Sequence, residues 1–110
     1  MSYDILYTPA FEKETKRLLK KYPSLKTDLS ILLSSLAANP LQGISLGNHC
    51  YKLRLAISGK KAGKSGGARI ITFVHIINKE VVLISIYDKS QQQTISDTEI
   101  KARLNKFIGK

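Results

Sequence analysis

The segment YKLRLAIS, residues 51–58, marks the point at which the sequence changes from a helical to a strand-like pattern. Apolar residues occupy every second position from Tyr51 to Ile57, and polar or small residues stand between them. Because successive side chains of a strand point to opposite faces, Lys52 and Arg54 share one face of the predicted strand. The strand therefore has an apolar side for a core and a basic side for solvent or a ligand.

Two more strands and a closing helix are predicted on the C-terminal side of this segment. Residues 58–67 form a Gly- and Lys-rich loop, and the β-prone runs 68–77 and 81–87 are separated by a turn at 78–79. Ser96 and Glu99 have the spacing of a helix capping box. An apolar stripe follows them, made of Ile100, Leu104, Phe107 and Ile108.

One strand and a helical hairpin are predicted on the N-terminal side. The strand spans residues 3–7, and charged residues of the first helix, Glu14 among them, form a solvated face. The helices are bounded by cap and stop signals at Thr8-Pro9, Pro23-Ser24 and Asn39-Pro40. The Gly, Ser and Asn content of residues 41–48 predicts a connecting loop.

These elements predict an α+β fold in the order β-α-α-β-β-β-α. We expect a single-layer, four-stranded, mostly antiparallel sheet packed against helices on one side, with the other sheet face left for function. The 110 residues fit a single domain, residues 1–110.

Positive charge is the most distinctive feature of the composition. Eighteen Lys and Arg stand against eight Asp and Glu, a net charge of +10, and no acidic residue lies between Asp28 and Glu80. That interval contains seven cations: Lys52, Arg54, Lys60, Lys61, Lys64, Arg69 and Lys79. A block of like charges repels itself unless an anion binds it, and nucleic acid is the commonest polyanion available. An anionic membrane or an acidic protein would also be compatible.

The composition also bears on location and cofactors. The apolar stretches are much shorter than the ~20 residues that a membrane span needs, and the first eleven residues have no signal-peptide pattern. We therefore expect a cytoplasmic protein without a membrane partner. Cys50 is a lone cysteine without zinc-ligand spacing, so we interpret it as a small buried hydrophobe. Neither His49 nor His75 has an evident acidic partner, and we assign neither a catalytic role.

The loop after residue 58 resembles a nucleotide-binding loop only superficially. Gly63-Lys64-Ser65 is preceded by a glycine at the wrong spacing for a P-loop, and a strand rather than a helix follows. Glycines let the backbone approach an anion closely, so the loop lysines are better interpreted as contacts to RNA phosphates. These lysines are Lys60, Lys61 and Lys64.

A basic surface across the sheet is the candidate functional site. Antiparallel pairing returns the strand that begins near Arg69 beside the end of the strand that contains Arg54. Lys89 follows the last strand, next to Asp88, with which it could pair. Tyr87 could stack on a base, and packing in the core is a nearly equal alternative.

The chain resembles the RelE/ParE superfamily of type II toxins over almost its whole length, most closely the RelE/HigB-like branch. Three stretches carry the resemblance: residues 51–55 (YKLRL), residues 63–70 (GKSGGARI) and residues 83–89 (LISIYDK). Lys52, Arg54, Arg69 and Lys89 match basic catalytic positions of the family. Two positions depart from the RelE pattern: Ile95 replaces a tyrosine near the last helix, and Arg54 replaces a frequent lysine.

The resemblance implies a single RelE-like toxin domain with mRNA endoribonuclease activity in the ribosomal A site, held inactive by a cognate antitoxin. The reaction is attack of a ribose 2′-hydroxyl on the adjacent phosphate, and it needs no metal and no small-molecule cofactor. Arg54 and Arg69 would stabilise the dianionic phosphorane. Lys52 would be the base, since neighbouring cations favour loss of its proton, and Lys89 would protonate the leaving oxygen.

Two alternatives remain open from the sequence. ParE relatives inhibit DNA gyrase and lack the catalytic residues, so the four basic positions argue against that function here. A non-catalytic RNA- or ribosome-binding domain would use the same cations only to contact phosphates.

Overall fold

The computed structural model describes residues 2–60, 66–92 and 94–108, with the side chain of Ile108 left out. Its elements are β1 (Asp4–Tyr7), α1 (Pro9–Lys21), α2 (Leu25–Ala38), β2 (Ile44–Gly47), β3 (Cys50–Leu55), a 3₁₀ turn (Ser58–Lys60), β4 (Ala68–His75), β5 (Glu80–Asp88) and α3 (Asp97–Ile108). The predicted α+β class with three helices is confirmed.

The sheet has five strands in the order β1-β5-β4-β3-β2, so the prediction of four strands is wrong by one. β1 runs parallel to β5, and the other pairs are antiparallel. The extra strand, β2, lies within the predicted loop at 41–48. Gly47 pairs with Cys50, and Asn48 and His49 between them have positive φ angles of 51° and 63°. Two consecutive residues with positive φ form the tight turn of a β-hairpin. The Gly and Asn content of this segment predicted a loop, because these residues are common both in loops and in hairpin turns.

Helices α1 and α2 cover one face of the sheet. Thr8 caps α1 as predicted, because its Oγ1 accepts a hydrogen bond from the Phe11 N–H (3.1 Å). Ser24 precedes α2 but makes no side-chain cap, and its Oγ instead accepts from the Gly59 N–H (3.0 Å). The apolar residues between helices and sheet form the larger core cluster, including Phe11, Leu25, Leu36, Leu53, Ile70 and Leu83.

Helix α3 packs on the opposite face, so the prediction of helices on one side only is wrong. Ile100 of α3 lies in a second buried cluster with Ile71 and Ile84, and Cys50 is buried there as predicted. Adjacent residues of β4 point to opposite faces, and both faces of this strand are apolar. A strand buried on both sides needs a cover on each, and the capped amphipathic helix α3 supplies the second cover.

Candidate functional site

The register of the three central strands places the predicted basic residues in rows across one sheet face. Arg54 of β3 lies directly opposite Arg69 of β4, and Arg69 lies directly opposite Tyr87 of β5. Directly opposite residues of antiparallel strands project to the same face. Lys52 belongs to the next row on that face, where it lies opposite Ile71. The convergence of Lys52, Arg54 and Arg69 therefore follows from pairing that brings together residues up to 17 positions apart.

Lys89 joins this group through its backbone. Its N–H donates a hydrogen bond to the carbonyl oxygen of Gly67 (3.0 Å), one residue before β4 begins. A Cβ added to Gly67 would lie 2.2 Å from the carbonyl oxygen of Leu55, so only glycine fits there. Lys89 is consequently held beside the strand ends that carry Arg54 and Arg69.

The members of the site differ in exposure. Arg54 is exposed, Lys52 and Lys89 are partly buried, and Arg69 is only 4% exposed. Tyr87 is also 4% exposed, and its buried hydroxyl has no hydrogen-bond partner among the residues that the structure describes. This favours the packing alternative for Tyr87, since a ring enclosed by protein cannot stack on a base without a rearrangement.

Lys60 makes an ion pair that the sequence did not reveal. Its Nζ lies 2.5 Å from Oδ1 of Asp88 and 2.9 Å from the Ser90 hydroxyl. Asp88, which the sequence suggested as a partner of Lys89, thus pairs with a lysine of the β3–β4 connection. Lys60 lies within the interval 29–79, which has no acidic residue, and Asp88 lies outside it. The local sequence around Lys60 therefore gave no indication of this ion pair. The other two predicted phosphate contacts, Lys61 and Lys64, lie outside the described residues.

The pKa of Asp88 responds to this environment. Burial by itself would raise it, but hydrogen bonds from Lys60 and Ser90 and the positive charge of Lys60 lower the pKa to about 2. The carboxylate is therefore ionised near neutral pH and neutralises the Lys60 ammonium group.

Ile95, which replaces the tyrosine of the RelE pattern, has a structural role here. It packs against the buried cluster formed by Cys50, Ile71, Ile84 and Ile100. An aliphatic side chain thus stabilises the approach to α3. Within the ranges that the structure describes, no three His, Cys, Asp or Glu side chains form a metal-binding group, and none of the helices described is long and apolar enough to span a membrane.

Comparison with known proteins agrees with this fold. The family model described as the RelE toxin of the RelE/RelB toxin-antitoxin system matches residues 8–108, and the chain belongs to this family. A double arginine-to-alanine mutant of the E. coli toxin RelE in the free state is 18% identical, with a TM-score of 0.64 over 98% of this chain and 99% of that one. The isolated E. coli RelE toxin, also 18% identical, has a TM-score of 0.58 over 97% and 100%.

No curated protein matches the sequence significantly. Membership of the RelE family makes the chain a toxin of a type II toxin-antitoxin system, and it implies an antitoxin partner.

Proposed function

We propose that this toxin is a ribosome-dependent mRNA endoribonuclease that inhibits translation in the cytoplasm and is neutralised by its cognate antitoxin. The chain acts as a single domain, residues 1–110, and its substrate is mRNA held in the ribosomal A site. The proposal extends the family assignment to an activity, and the arrangement of the basic residues supports it.

The observation that carries the proposal is the pairing of Arg54 with Arg69 across β3 and β4. Like charges directly opposite each other destabilise a sheet. Two guanidinium groups side by side are, however, well suited to a phosphate, because each can donate two hydrogen bonds in a fixed geometry. The paired arginines therefore have the charge and geometry that a phosphate site requires.

In the proposed reaction the ribose 2′-oxygen attacks the adjacent phosphorus, and the bond from phosphorus to the 5′-oxygen breaks. The products are a 2′,3′-cyclic phosphate and a free 5′-hydroxyl. Arg54, exposed at the edge of the row, binds the phosphate first. Arg69 is as buried as Tyr87, so its contact with the phosphorane requires the site to open when the substrate binds; its charge is then little screened by water.

Two lysines carry the proton transfers. Lys52, in the row next to Arg54, takes the proton of the 2′-hydroxyl as general base. Lys89 donates a proton to the departing 5′-oxygen as general acid. The lysines of the β3–β4 loop, Lys61 and Lys64, contact flanking phosphates. On free RNA the reaction is slow, because the ribosome has to hold the scissile phosphate in line with the 2′-oxygen.

In-vitro translation with primer-extension mapping tests this function. We expect ribosome-dependent cuts in the mRNA for the natural chain and a loss of about 100-fold or more in cleavage rate for Arg69→Ala, a typical effect of removing transition-state charge stabilisation. Lys16→Ala is the matched control, because Lys16 is an exposed cation of α1 away from the site.

The same preparation is assayed with DNA gyrase. Gyrase-cleaved DNA without cuts in the mRNA would refute the nuclease and identify a ParE-like toxin. Translation arrest without cleavage of either nucleic acid would identify a non-catalytic ribosome-binding protein.

A further inference from the structure

A hydrogen-bonded cluster around Asp88 lies at the end of β5, next to the proposed general acid. Besides Lys60, the Asp88 carboxylate accepts hydrogen bonds from the Ser90 N–H (3.0 Å), the Ser90 hydroxyl (2.7 Å) and the Tyr22 hydroxyl (3.3 Å). Asp88 is 3% exposed. A buried carboxylate with this many partners holds its neighbours in one arrangement, because displacing any of them leaves a buried charge less well satisfied.

Lys60 is committed to this cluster. Its ammonium group donates to Asp88 and Ser90 and lies 5.9 Å from the centroid of the Tyr22 ring, close enough for a cation–π contact. Its side chain is 16% exposed. To contact a phosphate, Lys60 would have to abandon a buried carboxylate, which distinguishes it from a solvated loop lysine.

The connection that contains Lys60 is fixed to the body of the protein just before this residue. The Ser58 N–H and hydroxyl both donate to the carboxylate of Asp28, and the Gly59 N–H donates to the Ser24 Oγ. The cluster around Asp88 thus joins Tyr22, at the C-terminal end of α1, to the β3–β4 connection and the end of β5, and the bonds of Ser58 and Gly59 join that connection to the start of α2. Ala68 lies opposite Asp88, one residue from Arg69, and Lys89 directly follows Asp88.

From this geometry we propose that Lys60 and Asp88 are a positioning pair, which fixes the end of β5 so that Lys89 is held in place relative to Arg54 and Arg69, and that Lys60 is not a contact to RNA phosphate. The catalytic consequence of this pair rests on the proposed endoribonuclease function. The role replaces the RNA-phosphate contact that the sequence predicted for Lys60. The structural part of the proposal, that the pair holds the Lys89 backbone against Gly67, does not depend on the endoribonuclease function.

Two variants of Lys60 test the proposal on the full chain. Lys60→Met keeps the length and apolar stem of the side chain without its charge, and Lys60→Arg keeps the charge. We expect Lys60→Met to lower kcat for ribosome-dependent cleavage by roughly 10- to 100-fold, as misplacement of a reacting group by about 1 Å does. The KM of Lys60→Met should change less than about threefold, and Lys60→Arg should keep most of the kcat of the natural chain.

The salt dependence of binding to an uncleavable 2′-deoxy oligonucleotide separates positioning from phosphate contact. Loss of a phosphate-contacting cation lowers the slope of log Kd against log salt by about 0.7 for a single strand. We expect that drop for Arg54→Ala and no drop for Lys60→Met. A drop of this size for Lys60→Met, with loss of affinity, would identify Lys60 as a phosphate contact and overturn the proposal.

Amide hydrogen exchange at Lys89 gives a readout without catalysis. Its N–H donates to Gly67, and we expect at least tenfold faster exchange in Lys60→Met, while amides in the centre of β4 stay protected. Unchanged protection and unchanged kcat in the folded variant would refute the positioning pair. If the natural chain cuts no mRNA, the proposed function fails, and the exchange experiment alone then decides whether the pair holds Lys89.

Discussion

At the scale of single residues, Asp88 links stability to pH. Its pKa of about 2 in the folded chain lies below the ordinary value of about 3.9, so the ionised carboxylate stabilises the fold above that ordinary value. This contribution, about 2–3 kcal/mol for a shift of this size, is lost as the pH falls toward 2. Urea unfolding between pH 2 and pH 7 should therefore show a steeper acid limb for the natural chain than for Asp88→Asn. Parallel acid limbs for the two chains would contradict this prediction.

Gly43 and Gly47 provide a second prediction at this scale. Both have positive φ angles, 96° and 85°, but a Cβ on Gly43 would lie 2.4 Å from the Lys52 carbonyl oxygen, whereas a Cβ on Gly47 meets nothing within 4 Å. Gly47→Ala should cost about 1–2 kcal/mol of unfolding free energy through backbone strain alone. Gly43→Ala adds overpacking, roughly 1–3 kcal/mol more. Equal losses of unfolding free energy for the two variants would show that the backbone at Gly43 can move away from Lys52 without disturbing β3.

At the scale of elements, Glu14 connects α1, β5 and α3. β1 pairs only with the first part of β5, and beyond it the Glu14 Oε1 accepts from the Ile86 N–H (3.1 Å), the Ser85 hydroxyl (3.1 Å) and the Arg103 guanidinium (3.0 Å). Arg103 also donates to the Ile84 carbonyl (3.1 Å). The prediction that Glu14 lies on a solvated face is wrong. Its carboxylate accepts hydrogen bonds from the part of the β5 edge that β1 is too short to cover.

Replacing Glu14 should therefore weaken the junction of these three elements. We expect Glu14→Ala to lower the free energy of unfolding by about 1–3 kcal/mol, because the Ile86 N–H loses its acceptor and the Arg103 guanidinium loses one of its partners. The Ile86 amide should also exchange faster. Glu99→Ala is the control: Glu99 pairs with the same arginine but is 51% exposed, so its loss should cost less than about 1 kcal/mol. A comparable loss for both variants would assign the effect to α3 alone.

At the scale of the whole molecule, the charge of +10 should make RNA binding strongly dependent on salt. If four cations contact phosphates of a single strand, log Kd should rise with log salt with a slope of about 3. Titration of an uncleavable oligonucleotide between low and physiological salt measures this slope. Lys16→Ala should leave it unchanged, because Lys16 lies on the solvated face of α1. A slope near zero would mean that the positive charge serves another partner, such as an acidic segment of the antitoxin.

Local sequence signals predicted a large part of this molecule. The caps and stops at Thr8, Pro23 and Ser96 act within a few residues, so the helices lie close to their predicted bounds. The alternation from residue 51 identified β3 and the face shared by Lys52 and Arg54, since the period of a strand is a property of the backbone. The family resemblance, carried by three short stretches, is confirmed by the family match over residues 8–108.

Tertiary structure decided the remainder, because it depends on contacts between residues far apart in sequence. Charge alone could not reveal that Lys60 pairs with Asp88, 28 positions away, or that Glu14 serves Ile86, 72 positions away. Nor could it reveal that Arg69 and Tyr87 are buried while Arg54 is exposed. The sequence by itself determined the elements other than β2, the family, and the face shared by Lys52 and Arg54. The burial and ion pairing of each cation depend on the register of β3, β4 and β5 and on the side chains that this register brings together.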